Sequence, residues 1–170
     1  MKTELNILDC FEEHHAGLFR FLVKLTGDYH QSEDIIQDAY VRASLKLALF
    51  DPGRGSVKNW LYKIAINIYY DRERFRRKEE LAVDEYYREL HYENYSENEP
   101  DFQYSKEMIE LAVMRLAADK RAMFILSLKT SIRDMAEIFS MAEGTVKSRM
   151  FYIRKEICNN LNKIHKEQNL

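Results

Sequence analysis

Apolar residues return every three or four positions along most of this chain, the spacing of helices with one buried face. From Leu5 to Lys24 the positions Leu5, Leu8, Phe11, Leu18, Phe19, Leu22 and Val23 predict one amphipathic helix or two short ones. The run Thr26-Gly-Asp-Tyr-His-Gln-Ser breaks the pattern. Ser32 is then the expected N-cap of a second helix over 33–49, with Glu33 and Asp34 in its first turn. On that helix Ile35, Ile36, Ala39, Tyr40, Ala43 and Leu47 form the buried stripe. The segment Phe50-Asp-Pro-Gly-Arg-Gly-Ser carries the densest turn chemistry in the chain and must be a loop. A third helix starts near Ser56, with Val57, Trp60, Leu61, Ile64, Ala65 and Ile68 inward.

The periodicity resumes after a gap. A stripe of Met108, Leu111, Ala112, Met114, Leu116, Met123, Phe124 and Leu126 runs through 107–128. A short helix follows from Ser131, with Ile132, Met135, Ala136 and Phe139 inward. After a tight turn containing Gly144, a longer basic helix from Thr145 carries Val146, Met150, Ile153, Ile157, Leu161 and Ile164 on one side. Short helix, turn, longer basic helix is a helix-turn-helix arrangement. Five Gly and two Pro in 170 residues leave too little turn chemistry for a sandwich or barrel. The expected fold is all-α: two small helical domains, 1–78 and 107–170, joined by a linker over 79–106.

Charge changes the picture more than composition does. The net charge is only −2, but its distribution is uneven. Residues 51–78 hold 8 basic and 3 acidic side chains, 79–110 hold 2 and 11, and 111–170 hold 11 and 6. Two basic modules thus flank an acidic linker, which hides a phosphate-binding footprint from the overall balance. The segment around 84–103 is poor in aliphatic residues and reads as a linker that orders poorly alone. Cys10 and Cys158 stand far apart with no CxxC spacing, which argues against a disulfide framework or zinc ribbon and for a reduced, cytoplasmic protein. No stretch is long and apolar enough to expect membrane insertion.

Three faces carry candidate chemistry. On the second helix Asp34, Gln37, Asp38, Val41 and Arg42 fall on or beside the outer face; an unpaired acid cluster next to an exposed Val41 suits a docking surface. The third helix and the loop before it interleave Phe50, Trp60, Tyr62, Tyr69 and Tyr70 with Arg54, Lys58, Lys63, Arg74 and Arg77, and Asn67 lies among them. That is the composition of a single-strand nucleic-acid platform, in which bases stack on rings and cations track phosphates. The last helix presents Thr145, Lys147, Ser148, Phe151 and Arg154 outward with Arg149 on the margin, and the first residues of such a helix reach base edges. No nucleophile-base pairing, phosphate-binding glycine loop or metal cluster is legible, so neither catalysis, a cofactor, a metal site nor a small-molecule substrate is expected. Glu12 and His15 form a single Glu-x-x-His spacing, without the second one that a di-iron bundle needs.

Taken together, these motifs resemble a bacterial RNA polymerase sigma factor of the extracytoplasmic-function (ECF) group. Ser32-Glu-Asp-Ile-Ile-Gln-Asp-Ala-Tyr-Val-Arg-Ala resembles region 2.2 of that family, Trp60-Leu-Tyr-Lys-Ile-Ala-Ile-Asn with Asp71 to Arg77 resembles regions 2.3 and 2.4, and Glu143-Gly-Thr-Val-Lys-Ser-Arg resembles the end of region 4. The resemblance implies that Asp34, Gln37, Asp38, Val41 and Arg42 meet the β′ clamp helices of core polymerase. It implies that Phe50, Arg54, Lys58, Trp60, Lys63, Asn67, Arg74 and Arg77 capture and melt the −10 element. Thr145, Lys147, Ser148, Arg149, Phe151 and Arg154 would read the −35 element as duplex. It further implies contact with the β flap, promoter DNA and an anti-sigma factor. Region 4 departs from the family pattern at Ala117 and Ala142, although Arg121 is retained. The alternative is a helix-turn-helix regulator that binds duplex DNA without being a polymerase subunit.

Overall fold

A computed structural model of the chain describes residues 7–83 and 104–168, and in these the regular elements are all helices. The first module consists of α1 (Ile7–Thr26), α2 (Tyr29–Lys46), a 3-10 turn (Leu47–Leu49) and α3 (Val57–Val83). The second consists of α4 (Lys106–Met114), α5 (Ala118–Ser127), α6 (Ile132–Phe139) and α7 (Glu143–Gln168). Most of the expected acidic linker lies outside the described residues, while α3 runs five residues past the boundary expected at 78.

The turn between α1 and α2 corrects the expected cap. Gly27 takes a left-handed conformation (φ 71°) and donates its N–H to the Val23 carbonyl, which ends α1 and lets the chain reverse. Asp28, not Ser32, is the N-cap: its carboxylate accepts from the Gln31 N–H at 2.9 Å. Ser32 sits one turn inside α2, fully buried, donating its hydroxyl to the Asp28 carbonyl at 2.6 Å. At the other end α2 gives way to the 3-10 turn at Leu47, which rotates Leu47 out of the buried stripe and leaves it half-exposed.

In the second module the stripe over 107–128 divides into two helices at Arg115–Ala117. Helix α6 starts at Ser131, whose Oγ accepts from the Asp134 N–H at 3.1 Å. It ends at Ser140 in the left-handed region (φ 53°), with the Met141 N–H reaching back to the Ala136 carbonyl. The turn expected over 140–144 is shorter than that: Ser140 makes the reversal, and Glu143 and Gly144 already lie inside α7. The stripe Val146, Met150, Ile153, Ile157, Leu161 and Ile164 is buried throughout, with α4 and α6 packed on it.

The two modules are not separate in space. α6 and α5 pack on α3, and α5 packs on α1, so the buried residues of both modules form one continuous cluster. This junction explains why α3 is buried on two faces. Leu61, Ile64, Ala65 and Ile68 are buried in the first module, as expected. A second stripe of Asn59, Tyr62, Ile66, Tyr69 and Glu73 is also buried, and it has partners in the second module. Its spacing of three and four residues is that of a helix-packing seam.

Candidate nucleic-acid interface

The N-terminus of α3 opens into a cleft of about 650 Å³. The preceding loop is set by Asp51, whose carboxylate accepts from the Gly53 N–H at 2.9 Å and pairs with Arg54 at 3.4 Å. Ser56 caps the helix by accepting from the Asn59 N–H at 3.1 Å. The rings of Phe50 and Trp60 meet with centroids 5.1 Å apart. Four of the residues expected to handle the −10 element, Phe50, Arg54, Trp60 and Lys63, therefore share one cleft.

The far wall of that cleft is α6. Glu137 accepts from the Ser56 N–H at 3.0 Å and from Asn59 Nδ2 at 2.9 Å, and Asn59 Nδ2 also donates to Asp134 at 2.9 Å. Lys63 Nζ donates to Ser140 Oγ at 2.6 Å. Hydrogen bonds from Ser131 and Asn59 to the Asp134 carboxylate hold its pKa below the ordinary value. Asn59 is only 3% exposed. Sequence reasoning misses it because an Asn one position before Trp60 carries no signal by itself.

A second cavity of about 530 Å³ lies further along α3, where Lys63, Asn67 and Tyr70 face Arg149 and Tyr152 of α7. Burial pushes the Tyr70 phenol well up, with Asp119 adding to the effect and Arg149 opposing it. The remaining −10 candidates are not gathered here. Lys58 opens onto a separate groove with Arg20, Lys24, Tyr62 and Lys129. Arg74 and Arg77 are exposed on the C-terminal half of α3, roughly 20–25 Å along the helix from Trp60 at 1.5 Å per residue.

At the deep end of the junction Glu73 and Arg121 approach to 3.8 Å, both side chains only 9% exposed, and Arg76 pairs with the same carboxylate at 3.0 Å. Burial pushes the adjacent Tyr69 phenol up to about 12 although the Arg121 charge pulls the other way. Arg121 and Glu73 were not among the sequence candidates; their places in the α3 seam and in α5 are the signal that would have found them.

The outer face of α2 presents Asp34, Gln37, Asp38, Val41 and Arg42 to solvent. Its acids are not unpaired, which corrects that expectation. Packing of α3 against α2 brings Arg72 to 2.7 Å from Asp38 and 3.7 Å from Asp34, and Arg42 lies 3.5 Å from Asp71. Such exposed pairs contribute little to stability, about 0–1 kcal/mol, so they are free to exchange partners. The same helix and the turn after it also expose Leu45 (79%) and Leu49 (80%), extending the apolar part of the face beyond Val41. On α7 the side chains of Thr145, Lys147, Ser148, Arg149, Phe151 and Arg154 are all exposed, as is Tyr152, whose ring meets that of Phe151 at 5.5 Å. Ser148 Oγ lies 3.2 Å from both the Gly144 and Thr145 carbonyls, bonding back to its own helix. His15, the other half of the lone Glu-x-x-His, lies among the rings of Phe11 and Phe19.

A three-helix module with an aromatic and basic long helix, joined to a helix-turn-helix, defines a two-module all-helical protein. Residues 10–79 match the Sigma-70 region 2 family. The chain is 30% identical over 144 residues to the ECF RNA polymerase sigma factor SigL of Mycobacterium tuberculosis, covering 84% of this chain and 81% of that protein. It is 25% identical over 155 residues to the ECF RNA polymerase sigma factor SigM of Bacillus subtilis, covering 90% and 93%. In structure it is similar to the sigma factor RpoE of Bartonella quintana in complex with the anti-sigma factor NepR, with a TM-score of 0.65, 27% identity and coverage of 91% and 97%. It also shares the fold of CnrH in complex with the cytosolic domain of CnrY, at a TM-score of 0.64 and 19% identity over 92% and 88% of the chains. The chain belongs to the ECF RNA polymerase sigma factors. That family consists of transcription initiation factors rather than enzymes. Among the described residues, no helix is long and apolar enough to cross a membrane.

Proposed function

We propose that this sigma factor docks on core RNA polymerase through the outer face of α2, captures the −10 element at the N-terminal half of α3, and reads the −35 element with α7. Asp34, Gln37, Asp38, Val41 and Arg42 meet the β′ clamp helices, and Leu45 extends that contact. Phe50, Trp60 and Asn67 hold unstacked bases, whose extrusion costs a few kcal/mol that pocket contacts offset, while Arg54, Lys58, Lys63, Arg74 and Arg77 track phosphates. Thr145, Lys147, Ser148, Arg149, Phe151 and Arg154 address the duplex in the major groove. The second module meets the β flap, and an anti-sigma factor holds the chain in reserve in the cytoplasm, as NepR and CnrY form complexes with their own partners. The observation that carries this reading is the mixed face of α2, where exchangeable ion pairs surround an exposed Val41 inside the segment matched by Sigma-70 region 2.

The test is size-exclusion co-elution of the purified chain with sigma-free core polymerase. Wild type co-elutes, and Asp34→Ala with Gln37→Ala weakens the association about tenfold, the loss of roughly 1.4 kcal/mol, without loss of helical signal. A chain that stays separate from core overturns the proposal, and unchanged affinity of the double variant removes the α2 assignment.

A further inference from the structure

A groove of about 630 Å³ opens between α1, the first turns of α3 and the end of α5. On a period of 3.6 residues its α3 members, Lys58 and Tyr62, point away from Trp60 and Asn67, and Lys58 alone among its lining is assigned above to polymerase or promoter. Its floor is apolar. Phe21, Ile125 and Leu126 are buried there, with the half-buried Phe19 and the exposed Leu128 beside them. Four exposed cations, Arg20, Lys24, Lys58 and Lys129, border that floor. Among the described residues no carboxylate lines the groove and none of the four makes an ion pair, in a chain whose net charge is −2.

Two details mark the groove as a site rather than a packing gap. Tyr62 is only 8% exposed, yet its hydroxyl makes no hydrogen bond among the described residues and is not sealed from the groove. Burial raises its pKa against the pull of the Arg20 charge, so the phenol keeps its proton and presents a donor near a cation. A donor so deeply buried is costly unless water or a ligand reaches it. Gly17 makes the room: a Cβ there would stand 3.3 Å from Tyr62 Oη. Glycine is a poor helix former, but α1 carries it in its middle, on the face shared with Arg20, Phe21 and Lys24.

We propose that this groove binds an amphipathic anion, an unbranched alkyl chain that ends in a carboxylate. The head group accepts from Tyr62 Oη and pairs with Arg20, and the chain lies on Phe21, Ile125 and Leu126. Lys24, Lys58 and Lys129 add attraction of the same sign. An apolar cavity of about 300–1,000 Å³ with a few convergent polar groups is the usual form of a small-molecule site. A protein helix is a poorer fit. Three turns of helix, about 16 Å long and 10–12 Å across with side chains, occupy roughly 1,500 Å³, more than twice the volume of the groove. A nucleic-acid backbone would satisfy the cations but leave the apolar floor uncovered.

Isothermal titration calorimetry of the full chain with dodecanoate, kept monomeric, tests this. The parent binds one dodecanoate. Dodecyltrimethylammonium, with the same chain and the opposite charge, and acetate, with the same head group and no chain, bind at least about tenfold more weakly. Tyr62→Phe lowers dodecanoate affinity about tenfold, as expected for one charge-assisted hydrogen bond. Gly17→Ala sets a methyl group against the hydroxyl and lowers the affinity too, while alanine, the better helix former, keeps α1 folded, as the helical signal reports. Lys24→Glu with Lys129→Glu reverses half of the bordering charge and also weakens binding. Absence of dodecanoate binding overturns the proposal, as does equal binding of dodecyltrimethylammonium, or an affinity unchanged in both Tyr62→Phe and Gly17→Ala. An acidic amphipathic peptide that binds where dodecanoate does not assigns the groove to a protein partner and overturns it equally. Co-elution with core polymerase reports on the sigma reading separately, since none of the residues changed here lies on the α2 face.

Discussion

Helices α3 and α7 are nearly equal in length and both are proposed to meet promoter DNA, yet they are buried differently. On α7 one stripe is covered and the opposite face is open from Thr145 to Lys155. On α3 two stripes are covered, one by its own module and one by α5 and α6. In the proposed reading, α3 carries a nucleic-acid surface and a protein seam at once, and its seam includes the polar residues Asn59 and Glu73. The difference also divides the labour: on α7 the proposed duplex-reading residues lie opposite the covered stripe, while on α3 the proposed strand-capturing residues run along the edge of a protein seam.

The largest expected effect comes from cutting into the second face of each helix. Ile66, 2% exposed in the α3 stripe that faces the second module, leaves a cavity in the seam when changed to alanine, which costs about 2–5 kcal/mol of unfolding free energy. Phe151, 62% exposed on α7, is expected to change stability by no more than about 0.5 kcal/mol on the same replacement. Urea unfolding of the two variants checks this, and similar losses would show that α7 is also covered. Smaller is the effect on duplex binding. Lys147→Ala with Arg149→Ala flattens the dependence of log affinity on log salt by about 0.9 for each phosphate no longer neutralised. Fluorescence anisotropy of the chain on promoter duplex at several salt concentrations measures the slope, and an unchanged slope would take these side chains off the phosphates.

The smallest effect is a pH dependence of the seam. The Asp134 carboxyl is held below its ordinary pKa first by Ser131 and then by Asn59. A depressed carboxyl favours the folded chain above the ordinary value and loses that contribution as pH falls through the folded one. Melting temperature therefore declines on acidification below about pH 4, where an unperturbed carboxylate starts to protonate, and Asp134→Asn removes this part of the decline. Identical acid profiles for the two proteins would mean that Asp134 does not contribute.

How much was legible from sequence follows the same contrast. Every apolar position read into the α7 stripe is buried, because a helix with one covered face writes one clean period. The second stripe of α3 has the same spacing but begins at Asn59, ends at Glu73 and includes two tyrosines, so nothing marked it as a seam. Ser32 and Asp28 are both good caps, and only the left-handed Gly27 decides between them. The outward positions on α2 and α7 followed from periodicity alone. The covering of the α3 cleft did not, because Asp134 and Glu137 lie 75 and 78 residues from Asn59.

The two-sided burial of α3 has a further consequence for the way the molecule breathes. A backbone amide exchanges with solvent when its own segment opens, and segments with the densest cover open last. Between Leu61 and Tyr69 every side chain except Lys63 and Asn67 is buried, so these amides should be the slowest to take up deuterium anywhere in the described chain. Parting of the modules uncovers only one of the two faces. The protection there should fall only in part if the modules separate, while the Ser56 amide, whose partner is Glu137, loses its own.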